Sequence, residues 1–318
     1  MENAALPLAA IPGIDAIIAG HSHRLFPDPA AHDYRATPGV DAARGTLAGK
    51  PAVMAGFWGS HLGLIDLALA RDAAGWRVLS AESHLRATAE IRPDGRIRAK
   101  VTSDPALTRL VRGAHKDTLR MIRTPIGDSP RPLHSYFARI EPSAALALVH
   151  RAQLDWLDRA IGAGGACPLG HLSHLPRLSA ASPIKSGGRG GPRFFTDIPA
   201  GKIALRHLGD LYHFGNEIAA VVVTGARIRD WLERAAAHYC QIRPGVLDQP
   251  LFDVDMPAYN FDTIAGLTYG IDLLAAPRYL ADGSPLPGRA GRIVDLSYQG
   301  AALDDRAAFL VATNTFRA

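Results

Sequence analysis

Two histidines separated by a single residue are the first feature of this sequence with chemical potential. His21 and His23 follow the apolar run 14–19 and Gly20. A short apolar run that ends in glycine predicts a buried strand that feeds a loop. Neutral imidazole is a common ligand of zinc, manganese and iron, so two such side chains on one loop can reach one metal centre. The alternative is that both histidines simply decorate the surface, since the chain has 13 histidines.

Two phenylalanines stand where predicted elements end. Phe214 lies in a Phe-Gly-Asn segment between a predicted helix and a predicted strand, and Phe316 follows another predicted strand. A nucleobase can stack on such a ring, and this stacking contributes about 1–3 kcal/mol per base with little dependence on base identity. Asn216 adds hydrogen-bond donors and acceptors beside Phe214. The alternative is that both rings belong to the core.

A glycine-rich segment at 185–191 is the third candidate. Gly187 and Gly188 allow close backbone approach, and Arg189 can clamp a phosphate or ribose oxygen with its guanidinium. The spacing of a Walker phosphate-binding loop is absent from this segment. A solvated surface loop is the alternative interpretation.

The hydrophobic pattern predicts the elements that must position these groups. Asp104 is the expected N-cap of the first helix. Predicted helices cover residues 105–123, 142–161, 204–212 and 227–239. Predicted strands cover residues 14–19, 52–57, 63–70, 76–81, 218–223, 266–272, 293–298 and 309–314.

Three segments follow from this pattern. Residues 1–87 are strand-rich, residues 88–123 contain a linker and a connecting helix, and residues 124–318 form an α/β domain with a mixed sheet. The first residues of the sequence are typical of the middle of a domain, and the last residues directly follow a predicted strand. We therefore expect both ends to be cut.

Composition excludes several classes of function. The net charge of +5 is spread along the chain without a run of like charges, which argues against a nucleic-acid polymer as partner. No apolar stretch reaches the roughly 18 residues of a membrane span, and the first residues do not resemble a signal peptide. Cys167 and Cys240 fit neither a disulfide framework nor a zinc motif.

Four short sequence motifs, which follow one another along the chain, indicate a family resemblance. They are Gly-His-Ser-His at 20–23, G-x-W-G-x-H-L-G at 56–63, Tyr-Asn-Phe-Asp at 259–262 and Val-Ala-Thr-Asn at 311–314. The chain thereby resembles the calcineurin-like metallophosphoesterases, in particular the bacterial group with a 5'-nucleotidase branch and a cyclic-nucleotide phosphodiesterase/3'-nucleotidase branch. The likeness is closer to the second branch. The likeness covers nearly the whole chain.

The resemblance implies an α/β (α+β) fold and a metal-dependent activity. The chain would hold the C-terminal remnant of a four-layer αββα metallophosphoesterase domain, followed by a C-terminally incomplete α/β substrate domain. The parent protein would hydrolyse 2',3'-cyclic nucleotides to 3'-nucleotides, and these to nucleoside and phosphate, with two divalent ions of manganese, zinc or iron type. His21 resembles a ligand of one ion and His23 a ligand of the other. The catalytic residues would lie in an N-terminal segment that is missing here.

The same resemblance implies which residues bind the substrate. Phe214 and Phe316 would sandwich the base, with Asn216 and the segment Gly187, Gly188 and Arg189 nearby. Residues 259–262 are interpreted as part of the fold near the same pocket. The small-molecule partner would be a nucleotide or nucleoside, and the parent would be periplasmic.

Two alternatives stay open. The first is a 5'-nucleotidase or nucleotide-sugar hydrolase, because the two branches share both pockets. The second is a non-catalytic nucleoside-binding module, which the missing metal ligands favour for this chain as it stands. Metal identity, base preference and oligomeric state are not determined by the sequence.

Overall fold

The computed structural model describes residues 4–29, 37–73, 75–94, 96–162, 169–187, 191, 193–253 and 256–318. The chain divides into two compact units, Met1–Gly113 and Ala114–Ala318. Each unit has its own hydrophobic clusters.

The bounds of the helices and strands are as follows. The helices are α1 (Ala5–Ala9), α2 (Pro105–Ile122), α3 (Ala144–Gly162), α4 (Leu205–Leu211) and α5 (Gly225–Ala236), with short 3-10 turns at Gly170–Leu172 and Ala258–Asn260. The strands of the first unit are β1 (Ile17–Ala19), β2 (Leu25–Phe26), β3 (Val40–Asp41), β4 (Thr46–Leu47), β5 (Lys50–Ala55), β6 (His61–Asp72), β7 (Gly75–Ala87), β8 (Ala89–Ile91) and β9 (Ile97–Ala99). The strands of the second unit are β10 (Pro125–Ser129), β11 (Leu133–His134), β12 (Arg177–Ala181), β13 (Asp197–Ile198), β14 (Gly201–Ala204), β15 (Ile218–Thr224), β16 (Thr263–Ala265), β17 (Leu267–Ile271), β18 (Ile293–Tyr298), β19 (Ala301–Ala302) and β20 (Ala308–Asn314).

The sheet of the first unit is built around β5. Its order is β1-β5-β4-β3, and β2 also pairs with β5. β1 runs parallel to β5, with Ile18 opposite Val53. Phe26, Leu47 and Met54 are almost fully buried and form the centre of the local core. β1 pairs with the buried strand β5, and this pairing fixes the point at which the loop with His21 and His23 begins.

The predicted hairpin of the first unit is confirmed but is longer than predicted. β6 and β7 pair antiparallel over their whole length, with a register shift between Ala68 and Leu69. Both predicted strands are too short at each end, since most residues of this ribbon are exposed and show little hydrophobic contrast. The predicted N-cap of α2 is also confirmed, because Asp104 Oδ1 accepts the backbone N–H of Ala106 at 2.7 Å.

The central sheet of the second unit is mixed, as predicted. Its order is β15-β20-β12-β16, with β12 and β20 parallel and the other two pairings antiparallel. Successive residues of β20 belong to different clusters: Phe309 and Val311 pack with Ile228 of α5, whereas Leu310 packs with Leu157 of α3. Side chains of a strand alternate between faces, so α5 and α3 cover opposite faces of the sheet.

A buried arginine fixes the end of α5. Arg292 is fully buried, and its guanidinium donates to the carbonyl oxygens of Ala236 at 3.1 Å, Tyr239 at 2.6 Å and Ala275 at 2.9 Å. The carboxylate of Glu233 accepts the backbone N–H of Arg292 at 2.8 Å. The last carbonyls of a helix lack partners within the helix; that of Ala236, the last residue of α5, accepts both the Arg292 guanidinium and the backbone N–H of Tyr239 at 3.2 Å.

None of the helices within the described residues combines the length and the apolar character that a membrane crossing requires.

Candidate functional site

The pairing of β15 with β20 brings two candidate loops to one end of the central sheet. Ile218 lies opposite Asn314, where β15 begins and β20 ends. Beyond that pair, the backbone N–H of Thr315 donates to the carbonyl oxygen of Glu217 at 2.9 Å. The segment that carries Phe214 and the segment that carries Phe316 are therefore joined by the sheet itself.

A tyrosine hydroxyl links the same two loops. The side-chain amide of Asn216 donates to the Tyr212 hydroxyl at 3.2 Å, and that of Asn314 donates to it at 2.8 Å. The Asn314 side-chain oxygen accepts the backbone N–H groups of Phe316 at 3.0 Å and Arg317 at 3.1 Å. Asn314 thus shapes the turn that presents Phe316, and Asn216 is tied to the same hydroxyl.

Tyr259 is the ring that both candidate phenylalanines contact. The centroids of Phe214 and Tyr259 are 6.2 Å apart with an interplanar angle of 90°. The centroids of Tyr259 and Phe316 are 6.4 Å apart with an angle of 88°. Phe214 is 42% exposed and Phe316 is 64% exposed. The structure therefore brings the two rings to one shared neighbour and leaves both accessible.

The ring contacts continue on the other side of Phe214. His213 and Phe214 have centroids 4.2 Å apart, and Phe194 meets His213 edge-on at 6.1 Å. Burial lowers the pKa of His213, and the nearby Lys185 lowers it further, so the neutral imidazole is favoured. We call Phe194, His213, Phe214, Tyr259 and Phe316 the aromatic row.

A cation stands at each end of the aromatic row. The Lys185 ammonium lies 5.6 Å from the centre of the Phe194 ring and is paired with Asp210. The Arg317 guanidinium lies 5.0 Å from the centre of the Phe316 ring. Cations over aromatic faces are attracted by the ring quadrupole.

The Arg317 end is anchored in the interior. Asp262 is 5% exposed and receives Arg317 Nε at 2.8 Å and the Trp231 indole N–H at 2.8 Å. Arg317 also donates to the Tyr259 carbonyl oxygen and to the Asn260 side-chain oxygen. Burial raises the pKa of Asp262, while Arg317 and Trp231 oppose that shift. A cavity of about 230 Å³ lies beside this group, with Trp231, Asn260, Asp262 and Arg317 among its lining residues.

The glycine-rich segment is described only in part. Gly187 has φ +75°, and a Cβ there would lie 2.9 Å from the Phe195 ring. Its backbone N–H donates to the Phe194 carbonyl oxygen at 2.6 Å. The close approach that this glycine permits is thus to a neighbouring ring of the same loop. Gly188 and Arg189 lie outside the described residues, so their role toward a ligand stays a prediction.

His21 and His23 lie on the exposed loop after β1, as the pattern predicts. The His23 ring stacks on Phe57 with centroids 5.5 Å apart, and its φ is +58°. Within the described residues, no group of three or more His, Cys, Asp or Glu side chains is arranged to hold a metal ion. Protein zinc sites use at least three protein ligands. The two exposed imidazoles have the donor chemistry for a contribution to a metal site, but they do not complete one.

Sequence reasoning missed four members of this arrangement. It treated Tyr259 as part of the fold near the pocket and gave no role to Phe194, His213 or Arg317. The signal that points to the last two is the adjacency of each to a candidate ring: His213 precedes Phe214, and Arg317 follows Phe316. The contact of Tyr259 with both rings joins distant parts of the chain, and no local pattern encodes it.

Comparison with known proteins agrees with this architecture. The family described as "5'-nucleotidase, C-terminal domain" matches residues 125–318. The chain is 35% identical to the 2',3'-cyclic-nucleotide 2'-phosphodiesterase/3'-nucleotidase of Haemophilus influenzae, over all of this chain and 47% of that protein. It is also 35% identical to the trifunctional nucleotide phosphoesterase protein YfkN of Bacillus subtilis, over all of this chain and 21% of that protein.

A solved structure shares the fold. A 5'-nucleotidase from Staphylococcus aureus, in complex with alpha-ketoglutarate, superposes with a TM-score of 0.59 at 17% identity, covering 96% of this chain and 47% of that one. The chain thus spans about half the length of several relatives that it matches, and those relatives are named as phosphoric ester hydrolases. From the match over residues 125–318 and the relatives aligned along its whole length, we conclude that this chain belongs to the 5'-nucleotidase family.

Proposed function

We propose that the full protein hydrolyses nucleotide phosphoesters, from 2',3'-cyclic nucleotides to 3'-nucleotides and on to nucleoside and phosphate, and that this chain binds the nucleoside. The observation that carries the proposal is the aromatic row. Phe214 and Phe316 are both partly exposed and both contact Tyr259. Exposed rings at the end of a buried sheet are suited to hold a flat base.

The base would stack on Phe214 and Phe316, and Asn216 would meet a base edge or the loop backbone. The segment Gly187, Gly188 and Arg189 would lie beside the ribose or phosphate. Stacking contributes about 1–3 kcal/mol per base and tolerates different bases. Its catalytic value lies in orientation, because a held nucleoside presents its phosphate in one place and the reaction becomes effectively intramolecular.

His21 and His23 are proposed as ligands of two divalent ions of manganese, zinc or iron type. Such ions supply Lewis-acid activation of the phosphoryl group and of water. We propose only these two imidazoles as metal ligands from this chain, since the described residues do not complete a metal site. The remaining ligands and the catalytic groups would come from the other half of the protein.

The substrate preference is tested with the full-length protein. Assays with 2',3'-cyclic AMP, 3'-AMP and 5'-AMP separate the proposed activity from the 5'-nucleotidase alternative, which the match of residues 125–318 to the 5'-nucleotidase C-terminal domain supports. The proposal predicts turnover of the first two at much higher kcat/KM than the third. Preference for 5'-AMP or a nucleotide sugar would establish the alternative.

A second alternative is that this chain is a nucleoside-binding module without catalysis of its own. The observation that favours it is the incomplete metal site of the described residues. Calorimetric titration of the isolated chain with adenosine tests the binding that both interpretations share. We also propose a periplasmic location for the full protein, which fractionation of cells expressing the complete gene would test.

A further inference from the structure

Arg317, which follows Phe316 in the chain, makes side-chain contacts beyond those that form the turn after β20. Phe316 is 64% exposed and lies beyond the last residue of β20. Its backbone is fixed by Asn314, whose side-chain oxygen accepts the Phe316 N–H at 3.0 Å. That hydrogen bond does not fix the ring, because the torsions of the side chain remain free. The ring is held by its contacts with Tyr259 and Arg317.

We infer that Arg317 is a positioning residue of the base site, which holds the Phe316 ring in place for a nucleoside and is itself attached to the backbone of Tyr259. The inference rests on the proposed function. One guanidinium group faces the Phe316 ring at 5.0 Å and donates to the Tyr259 carbonyl oxygen. A single planar group therefore contacts both the Phe316 ring and the backbone of Tyr259.

The guanidinium is itself held from the interior. Arg317 Nε lies 2.8 Å from the Asp262 carboxylate, and the two side chains are 19% and 6% exposed. Asp262 also accepts the indole N–H of Trp231, which packs against the main core cluster of the second unit. A chain of contacts thus runs from α5 through Trp231, Asp262 and Arg317 to Phe316. The exposed Phe316 ring is thereby anchored to a helix of the core.

Lysine cannot reproduce these contacts. Arg317 donates from Nε to Asp262 and from Nη2 to the Tyr259 carbonyl and the Asn260 side chain, while its Cζ atom lies 5.0 Å from the centre of the Phe316 ring. An ammonium is a single point charge without a stacking plane. Ordering of a binding side chain before the ligand arrives reduces the entropy lost on binding. Removal of the guanidinium should therefore weaken nucleoside binding even though Arg317 need not touch the ligand.

The test measures the Kd of adenosine for the complete 318-residue chain by titration calorimetry. Arg317→Met and Arg317→Lys should each raise the Kd by about fivefold, in line with the loss of one ordered side chain. Arg229→Met is the matched control, because Arg229 of α5 forms an ion pair with Asp305, at 3.3 Å, outside the aromatic row. The control should bind adenosine like the unchanged chain.

A double-mutant cycle separates positioning from general damage. In a Phe316→Ala background, Arg317→Lys should leave the Kd unchanged within about twofold, because the ring through which it acts is gone. An equal loss in both backgrounds would overturn the inference, as would an unchanged Kd for Arg317→Lys in the native background. If the Arg317 variants fold poorly, Asp262→Asn tests the same inference: it removes the carboxylate that holds Arg317 and should raise the Kd of adenosine similarly.

The outcome also distinguishes this inference from the proposed function. If the unchanged chain does not bind adenosine, uridine or guanosine, the proposed nucleoside site is wrong and the inference falls with it. If the unchanged chain binds and the Arg317 variants bind equally well, only the positioning role is wrong.

Discussion

The rings of His213 and Phe214 lie with their centroids 4.2 Å apart and their planes inclined by 38°. This imidazole lies against Phe214, and burial lowers its pKa. A neutral ring there supports Phe214 without bringing a charge to its π-system. A base that stacks on Phe214 must therefore use ring surface that His213 does not cover.

The first prediction concerns the two exposed rings. Phe214→Ala and Phe316→Ala should each weaken adenosine binding by about 1–3 kcal/mol, which corresponds to roughly 5- to 150-fold in Kd. Phe137→Ala is the control, because Phe137 is similarly exposed, at 54%, but is not part of the aromatic row. Titration calorimetry measures all three variants. Equal behaviour of Phe214→Ala and Phe137→Ala would count against stacking.

The second prediction concerns catalysis by this chain alone. The isolated chain should not hydrolyse bis-p-nitrophenyl phosphate in the presence of manganese, because two imidazoles cannot hold a dinuclear centre with a bridging hydroxide. The assay follows nitrophenolate absorbance, with His21→Ala as the paired variant. Turnover that disappears in His21→Ala would show that the chain carries a working metal site.

The third prediction concerns stability and the buried arginine. Arg292→Met should lower the free energy of unfolding by about 3 kcal/mol or more, because three carbonyl oxygens lose a hydrogen bond from the guanidinium, and those of Tyr239 and Ala236 belong to buried residues. Arg306→Met, at an exposed position, should change it by less than about 0.5 kcal/mol. Urea denaturation followed by circular dichroism gives both values. Equal effects of the two substitutions would contradict the role assigned to Arg292.

The fourth prediction concerns pH. Burial lowers the pKa of His150 and of His238 from 6.5 to about 4. Above pH 6.5 both histidines are neutral in the folded and unfolded chain, and their contribution to stability is complete. As the pH falls from 6.5 to 4, the unfolded chain takes up protons that the folded chain excludes. Stability should then fall by about 1.4 kcal/mol per histidine for each pH unit.

Replacement of one histidine checks this assignment. His150 lies 2.9 Å from the Ser179 hydroxyl and 3.0 Å from the Thr263 hydroxyl, so His150→Gln keeps a polar side chain in that place. The variant should show a shallower loss of stability over the acid range, whereas His115→Gln, at an exposed position, should follow the parent curve. Identical slopes for all three proteins would contradict the prediction.

The sequence predicts the elements well and the long-range contacts poorly. The strand at 309–314 and the helix at 142–161 are within two residues of β20 and α3, because long apolar runs and strong periodicity are local signals. The mixed sheet is also confirmed. The extent of the β6–β7 ribbon is not captured, since its exposed residues carry little hydrophobic contrast.

The candidate site shows the same division. The positions of Phe214 and Phe316 at element ends follow from the pattern, because Gly215 and the end of an apolar strand are readable in sequence. The role of Tyr259 as their common neighbour is not readable, since it depends on a tertiary contact between segments far apart in the chain. Asp262 and Arg317 form an ion pair across a similar distance.

The place of β20 in the sheet also has a consequence for biosynthesis. β20 lies between β12 and β15, although both of these strands precede it in the chain. On the ribosome, β12 and β15 must wait for residues 308–314 before either gains its central partner. Such non-local pairing slows folding, and unpaired strand edges promote aggregation in the interval. A nascent chain that stalls before residue 308 should therefore depend on chaperones, whereas one that includes residues 308–316 can close its sheet and assemble the aromatic row in the same step.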